Sequence, residues 1–422
     1  MLHFVAALAA ATSMLGLAAA EPAKRQSAFP SLPFNVEGPN IVDSAGNTVK
    51  YAGTNWPGHG EVMIPEGLQY KSVENILADI KSVGMNVIRL TFAIELVDQI
   101  YANGGEDVDI GTAFVEALGQ ENGTAVLADV LTFNPQFTAS TKRLEVYDYI
   151  VEAAAEQEIY INLDNHISSG EWCCSATDGN TWWGDTHFNA DNWVRGLAYM
   201  AEHGRSWSNL ASFSLRNEFR EPSNNPAVRA TYNWQTWYGH VKEAAIAVNE
   251  ANPDVLVVLS GLNYDTTMQP VVRGTALTPG SETFSKDDFP GFQNKLMIEL
   301  HNYQGTATDC NALWGGIYNG GAQAMNPNEA STANVFPVII TEFGFDMTNQ
   351  NYQGVYATCL GERLPENTAG WMIWVVVGSY YTRQGIQDYD EAWGLYDHTW
   401  SAWRNPAYVN GLLSEMSERT LA

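Results

Sequence analysis

The chain has 422 residues, 45% of them apolar and 16% charged, with 21 Lys plus Arg against 48 Asp plus Glu. That composition excludes a disordered or fibrous chain, and a formal charge of −27 argues against a nucleic-acid backbone or an anionic membrane as the main partner. Fourteen Trp and nineteen Tyr leave two readings open, aromatic core or surface on which sugar rings stack.

Residues 4–17 form a short apolar run followed by Ala18-Ala19-Ala20, the pattern of a secretory signal over residues 1–20. The run falls short of the roughly 18–20 residues needed to cross a bilayer. Lys24-Arg25 reads as a dibasic processing site closing a propeptide over residues 21–25, which leaves residues 26–422 as a secreted, extracellular product. Four cysteines in such a chain suggest disulfides. Cys310 with Cys359 is the favoured pair, with Cys173 and Cys174 either joined to each other or unpaired, and the other connectivities stay open. Asn122-Gly123-Thr124 is an N-glycosylation sequon expected in a loop.

Past the leader, alternation around Ser44-Ala45-Gly46-Asn47 predicts a β-hairpin. Eight β-rich runs follow, beginning near Tyr51, Val87, Tyr160, Ser212, Val255, Leu296, Val338 and Gly370, with helical patterns between them. Ser72 caps a helix carrying Val73, Ile76, Leu77 and Ile80 on one face, ended by Gly84. A second helix aligns Leu144, Tyr147, Val151 and Ala154, and a third runs from about Trp234 to Glu250. Eight βα units predict an α/β fold, a single (β/α)8 TIM barrel with an N-terminal hairpin and elaborated βα loops. The length alone suggests two or three domains, but no linker or repeat divides the chain. A long insertion, residues 99–140, follows the second strand and is expected to shape the C-terminal face.

The chemistry sits where the strands end. Leu215 leads to Arg216-Asn217-Glu218, and Val338-Ile339-Ile340-Thr341 leads to Glu342-Phe343-Gly344. Side chains at these ends point into the site of a barrel, and two glutamates there fit a glycosidase pair. Taken singly, each is also readable as an exposed strand-end charge. Arg89 ends the second strand; a buried Arg there requires a carboxylate partner. Asp164-Asn165-His166, His301-Asn302-Tyr303 and Trp371-Met372-Ile373-Trp374 end the third, sixth and eighth. Trp56, His59, Trp172, Trp182, Trp183, Tyr264, Trp314, Tyr380, Tyr381 and Trp393 lie at or just after strand ends. Half of these are expected to be core and half sugar platforms.

In this order of motifs the sequence resembles glycoside hydrolase family 5, within the clan of (β/α)8 retaining glycosidases. Asp164-Asn165-His166 and Glu171-Trp172-Cys173-Cys174 further resemble a cellulase-like branch of plants and fungi. The resemblance implies Glu218 as general acid/base, Glu342 as nucleophile and Asn217 as the partner of the substrate 2-hydroxyl. It implies Arg89 and Tyr303 as partners of the nucleophile, His166 and His301 as polar neighbours, and Trp374 as the sugar platform. Trp56 and Trp183 are further substrate-side candidates. The family commonly has Pro after the acid/base, and here Phe219 follows. No cofactor and no metal are expected. The expected partner is an oligo- or polysaccharide, with no nucleic acid and no membrane, and the protein is expected to be a monomer. Endo-β-1,4-glucanase activity is the leading expectation, and β-mannanase, exo-β-glucanase and β-glycosidase action on short substrates remain alternatives. A non-catalytic sugar-binding barrel is one competitor. A metal hydrolase using His166, His187 or His301 is another, but it lacks a His-Glu-x-x-His motif.

Overall fold

In the computed structural model, residues 31–422 are described. The expected signal and propeptide, residues 1–25, lie outside them. Eight parallel strands close into a barrel in sequence order. They are β4 (Tyr51–Trp56), β5 (Val87–Ala93), β6 (Tyr160–Ile167), β7 (Leu210–Ser214), β8 (Leu256–Leu259), β9 (Leu296–Asn302), β10 (Val338–Phe343) and β11 (Gly370–Ile373). The predicted hairpin is part of a three-stranded antiparallel sheet, β1 (Asn35–Glu37), β2 (Asn40–Val42) and β3 (Thr48–Val49). Asp43 turns the chain between β2 and β3 by accepting the amides of Ala45 and Asn47 at 2.9 and 2.8 Å. This sheet caps the N-terminal mouth. Phe34 packs edge-on against Tyr160 at 4.9 Å, in a buried cluster with Tyr51, Val87 and Leu256 from the strand starts.

The helices follow the apolar periodicity. Val73–Ser82 starts at Ser72, whose hydroxyl accepts the Asn75 amide, and buries Val73, Ile76, Leu77 and Ile80 against the barrel. Burying side chains of this size is worth about 1.5–3 kcal/mol each. Arg143–Glu156 and Trp234–Ala251 occupy the other two predicted positions.

The insertion departs from expectation. Residues 99–140 contain the end of one helix, Ile94–Ala102, and the whole of two more, Ile110–Leu118 and Gln120–Phe133, and contribute no residue to the site cavity. Asn122 is exposed in the first turn of the third of these helices, not in a loop. Gly123 beside it is not a helix breaker here. A Cβ at that position would meet the Phe114 carbonyl at 2.4 Å, so the glycine permits close contact between two helices.

After β11 the chain forms a second hairpin, β12 (Ser379–Arg383) with β13 (Ile386–Asp390), that rises beside the C-terminal mouth. Both disulfides form, Cys310–Cys359 with Cα atoms 5.4 Å apart, and the vicinal pair Cys173–Cys174. Among the described residues no helix is long and apolar enough to cross a membrane.

Candidate active site

A cavity of about 440 Å³ opens at the C-terminal face of the barrel. Period-two alternation fills it. On β6, Asn162, Asp164 and His166 point inward, and on β9 so do Glu299 and His301, all buried. Beneath the cavity lies Arg89, fully buried. Its Nη1 donates to Glu342 Oε1 at 2.7 Å and Asn55 Oδ1 at 3.0 Å. Its Nη2 donates to Asp164 Oδ1 and Asn217 Oδ1, both at 2.9 Å, and lies 3.7 Å from Glu299. One guanidinium fork thus aligns four strand ends, those of β4, β6, β7 and β10.

Glu342 also accepts the Tyr303 hydroxyl at 2.8 Å. Burial raises its pKa, opposed by His301 and Arg89. Glu218 accepts from, or donates to, His301 Nδ1 at 2.9 Å, and His301 Nε2 lies 3.0 Å from the Thr341 hydroxyl. Burial pushes the Glu218 carboxyl up to about 7, opposed by Arg220 and Arg89. A carboxylate oxygen of Glu218, one of Glu342 and a ring nitrogen of His301 all lie within 4.8 Å of one another.

Glu218 sits at a φ of +50°, in the left-handed region that side chains rarely adopt. Its amide donates to Asp265 Oδ2 at 2.7 Å, and Arg220 Nη1 donates to its carbonyl at 3.0 Å. These two contacts hold the turn that aims the side chain. Asn217 Nδ2 approaches the vicinal disulfide, 3.4 Å from Cys174 Sγ and 3.7 Å from Cys173 Sγ.

His166 shares a 2.7 Å contact between Nδ1 and Asp164 Oδ2, its ring stacks on His59, 3.9 Å away, and it lies nearly parallel to the Trp374 indole, 5.3 Å away. Burial, then Arg89, keeps His166 neutral well below its ordinary pKa. Burial raises Asp164 to about 6 against the pull of Arg89. Trp374, Trp172, Tyr264 and Trp393 line the cavity.

Several candidates fall elsewhere. Trp56 is buried in the core and donates to the Glu66 carbonyl at 2.9 Å. Trp183 stacks on His240 and packs at a tilt against Phe219, with Trp182 edge-on beside it, so this aromatic cluster anchors the loop after β6 instead of lining the cavity. Tyr381 is buried, with its hydroxyl on the Pro65 carbonyl. Trp314, on the helix Cys310–Gly320, stands outside the cavity lining.

The family model described as Cellulase (glycosyl hydrolase family 5) matches residues 42–378. The chain belongs to glycosyl hydrolase family 5. It is a glycoside hydrolase on this (β/α)8 scaffold. It is 32% identical to a "Glycosyl hydrolase 5 family protein" of Chamaecyparis obtusa, over 96% of this chain and 69% of the relative. It is 25% identical to Endoglucanase B of Acetivibrio thermocellus, over 54% of this chain and 38% of that protein. Its fold resembles a hyperthermostable endocellulase, with a TM-score of 0.65 and 16% identity over 92% of this chain and 99% of the other. An endocellulase from Pyrococcus horikoshii in complex with cellotetraose superimposes similarly, with a TM-score of 0.64 and 15% identity over the same shares of the two chains.

Sequence reasoning missed Asn55, Asp265, Arg220, Arg383 and Glu391, and it gave Asp164 and Glu299 no role. Inward parity along β6 and β9 could have flagged the last two. Asp265 lies in a run of three positive-φ residues, Asn263 to Asp265, that no pattern announces. The second dense cluster of potential ligand atoms among the described residues, His166 with Cys173 and Cys174, has its sulfurs joined in a disulfide, so they carry no thiolate charge.

Proposed function

We propose that this family 5 enzyme is a secreted, monomeric, retaining β-glycanase that cleaves within β-1,4-glucan chains. The observation that carries the reading is the separation of the two carboxyls, with oxygens within 4.8 Å. Retaining pairs stand roughly 5–5.5 Å apart, whereas inverting pairs leave roughly 6.5–9.5 Å for a water. In this reading Glu342, held ionised by Arg89 and Tyr303, attacks the anomeric carbon. Glu218, protonated below about pH 7, donates its proton to the departing oxygen. Water then enters, Glu218 takes its proton, and the glycosyl–Glu342 ester is released with net retention. Asn217 Nδ2 is placed to meet the 2-hydroxyl, and Trp374 offers a flat face to the sugar ring. The endoglucanase names among the relatives support internal cleavage of a glucan, and the family description Cellulase supports a β-1,4 linkage.

The test is to incubate the enzyme with a 2-deoxy-2-fluoro glycosyl inactivator and map the adduct. Label on Glu342, with Glu342→Gln inactive on carboxymethylcellulose, supports the reading. Substantial turnover by Glu342→Gln sinks it. Proton NMR of the first-formed product anomer separates retention from inversion.

A further inference from the structure

The mechanism leaves one carboxylate in the cavity wall unused. Glu391 is 4% exposed, lines the cavity and follows hairpin β12–β13. Its Oε2 accepts from Arg383 Nη1 at 2.7 Å and its Oε1 from the Trp393 amide at 3.0 Å. A carboxylate offers about four acceptor positions, so these two donors, with the Tyr380 hydroxyl as a further hydrogen-bonding neighbour, still leave acceptor capacity. Arg383 lies flat over the Trp172 indole, its guanidinium carbon 3.5 Å from the ring centroid. Trp172 in turn meets Trp374 edge-on at 6.2 Å. The hairpin after β11 is therefore stitched to the loop after β6, with Glu391 behind the seam. A salt bridge serving only to close a hairpin would not need to face the cavity that holds the catalytic pair.

Topology places this carboxylate relative to substrate. β11 is the eighth barrel strand and stands diametrically opposite β7, the fourth, which leads to Asn217 and Glu218. A ring with its anomeric carbon between Glu218 and Glu342, its 2-hydroxyl toward Asn217 and its face on Trp374 turns its remote edge away from β7. In a glucosyl unit that edge carries the 4-hydroxyl and the 6-hydroxymethyl group, both hydrogen-bond donors. We propose that Glu391 is a substrate-binding residue that accepts hydrogen bonds from these remote-edge hydroxyls, with Arg383 as its positioning residue. The anchored carboxylate makes a single uncharged glucosyl unit a sufficient glycone. An internal chain residue still engages it through its 6-hydroxyl. This rests on the glycosidase reading above.

The experiment measures kcat/KM of wild type and Glu391→Gln on aryl β-glucoside, aryl β-xyloside, which lacks the 6-hydroxymethyl group, and aryl β-galactoside, whose 4-hydroxyl is inverted. Hydrogen bonds to a charged acceptor predict that wild type prefers the glucoside over at least one analogue by roughly 10- to 100-fold. In Glu391→Gln, which keeps a neutral acceptor and loses the charge, that preference shrinks at least about threefold, because a hydrogen bond to a neutral acceptor is roughly half as strong as one to a charged acceptor. A preference of the same size in both proteins overturns the proposal. So does a wild type that cleaves cello-oligosaccharides but not the aryl glucoside. A purely structural role would lower all three substrates equally. Should Glu391→Gln not fold, Glu391→Asp carries the same comparison. Failure of the glycosidase reading looks different: folded wild type then hydrolyses none of these substrates and no cello-oligosaccharide.

Discussion

Replacing Glu218 by Gln should make the protein more stable at alkaline pH while abolishing its acid/base function. Burial lifts the Glu218 carboxyl from the ordinary 4.5 to about 7. A raised folded-state pKa contributes stability that is fully present below the unfolded value, near 4.5, and is lost as the pH rises through about 7. At about 1.4 kcal/mol per pH unit, the displacement corresponds to ~3 kcal/mol between pH 4.5 and pH 8. Gln is the same size, is neutral at every pH and keeps an acceptor for His301 Nδ1, 2.9 Å away in the wild type. The two proteins should therefore melt together at pH 4.5, and the variant should melt several degrees higher at pH 8, at roughly 2 °C per kcal/mol or less for a chain this long. Asp164 also titrates near 6 in both proteins, and because it is one of the charges that raise Glu218, the difference between the melts reports Glu218 together with that coupling. Matched thermal melts at half-unit intervals check this. A gap that stays constant with pH, or a wild type that gains on the variant at pH 8, would refute the assignment of Glu218 as a carboxyl held neutral by burial.

The same titration should appear in turnover: kcat/KM falls on the alkaline side with an apparent pKa near 7, as the acid loses its proton, and a flat profile to pH 9 would exclude Glu218 as that acid. Arg89→Met should cut kcat by roughly 10³-fold or more and cost about 3–5 kcal/mol of stability in a denaturant melt, since Asp164 and Glu342 lose their buried counter-charge. The two disulfides should separate cleanly. The double Ser variant of Cys310 and Cys359 should lower stability by up to about 4 kcal/mol, with kcat unchanged in the folded protein, because it frees a loop closed over 49 residues by two cysteines that do not line the cavity. The double Ser variant of Cys173 and Cys174 should instead lower kcat/KM with little change in melting temperature, because those sulfurs touch Asn217 Nδ2 and wall the cavity.

The barrel was legible because its signals are local. Val87 to Ala93 is continuously buried and β-branched-rich, and Ser72 and Gly84 punctuate the helix before it. The glutamate pair was legible because strand ends converge by topology, so sequence order becomes spatial proximity. Trp183 and Trp56 misled for the opposite reason. An aromatic residue after a strand has the same local pattern whether it faces sugar or core, and only long-range packing decides: Trp183 is claimed by Phe219, Phe188 and Trp193. Phe219, where the family commonly has Pro, belongs to that same cluster, so its departure from the pattern is a core contact. Glu391 was hidden because it follows a hairpin appended beyond the last barrel strand, where no strand-end rule applies.

Burial alone does not assign roles to the two carboxyls proposed as the catalytic pair. Both glutamates are almost wholly enclosed, and burial raises both. Their partners separate them. Glu342 touches a guanidinium at 2.7 Å and a phenol at 2.8 Å, both donors that favour its charged form. Glu218 touches His301, which burial keeps from protonating near neutrality, while the Arg220 guanidinium is spent on the Glu218 carbonyl, on Ser175 and on Asp178. Arg89 therefore shares its charge among Glu342, Asp164 and Glu299 and gives Glu218 only a distant contribution. Once Glu342 is esterified it holds no charge, and the same guanidinium is left with one fewer anion. The site becomes more positive by one unit within a few ångströms of Glu218, which lowers the Glu218 pKa at the step where it must accept a proton from water. In the proposed mechanism the change of role from acid to base is thus driven by the nucleophile's own chemistry, with Arg89 as the fixed charge against which both states are measured.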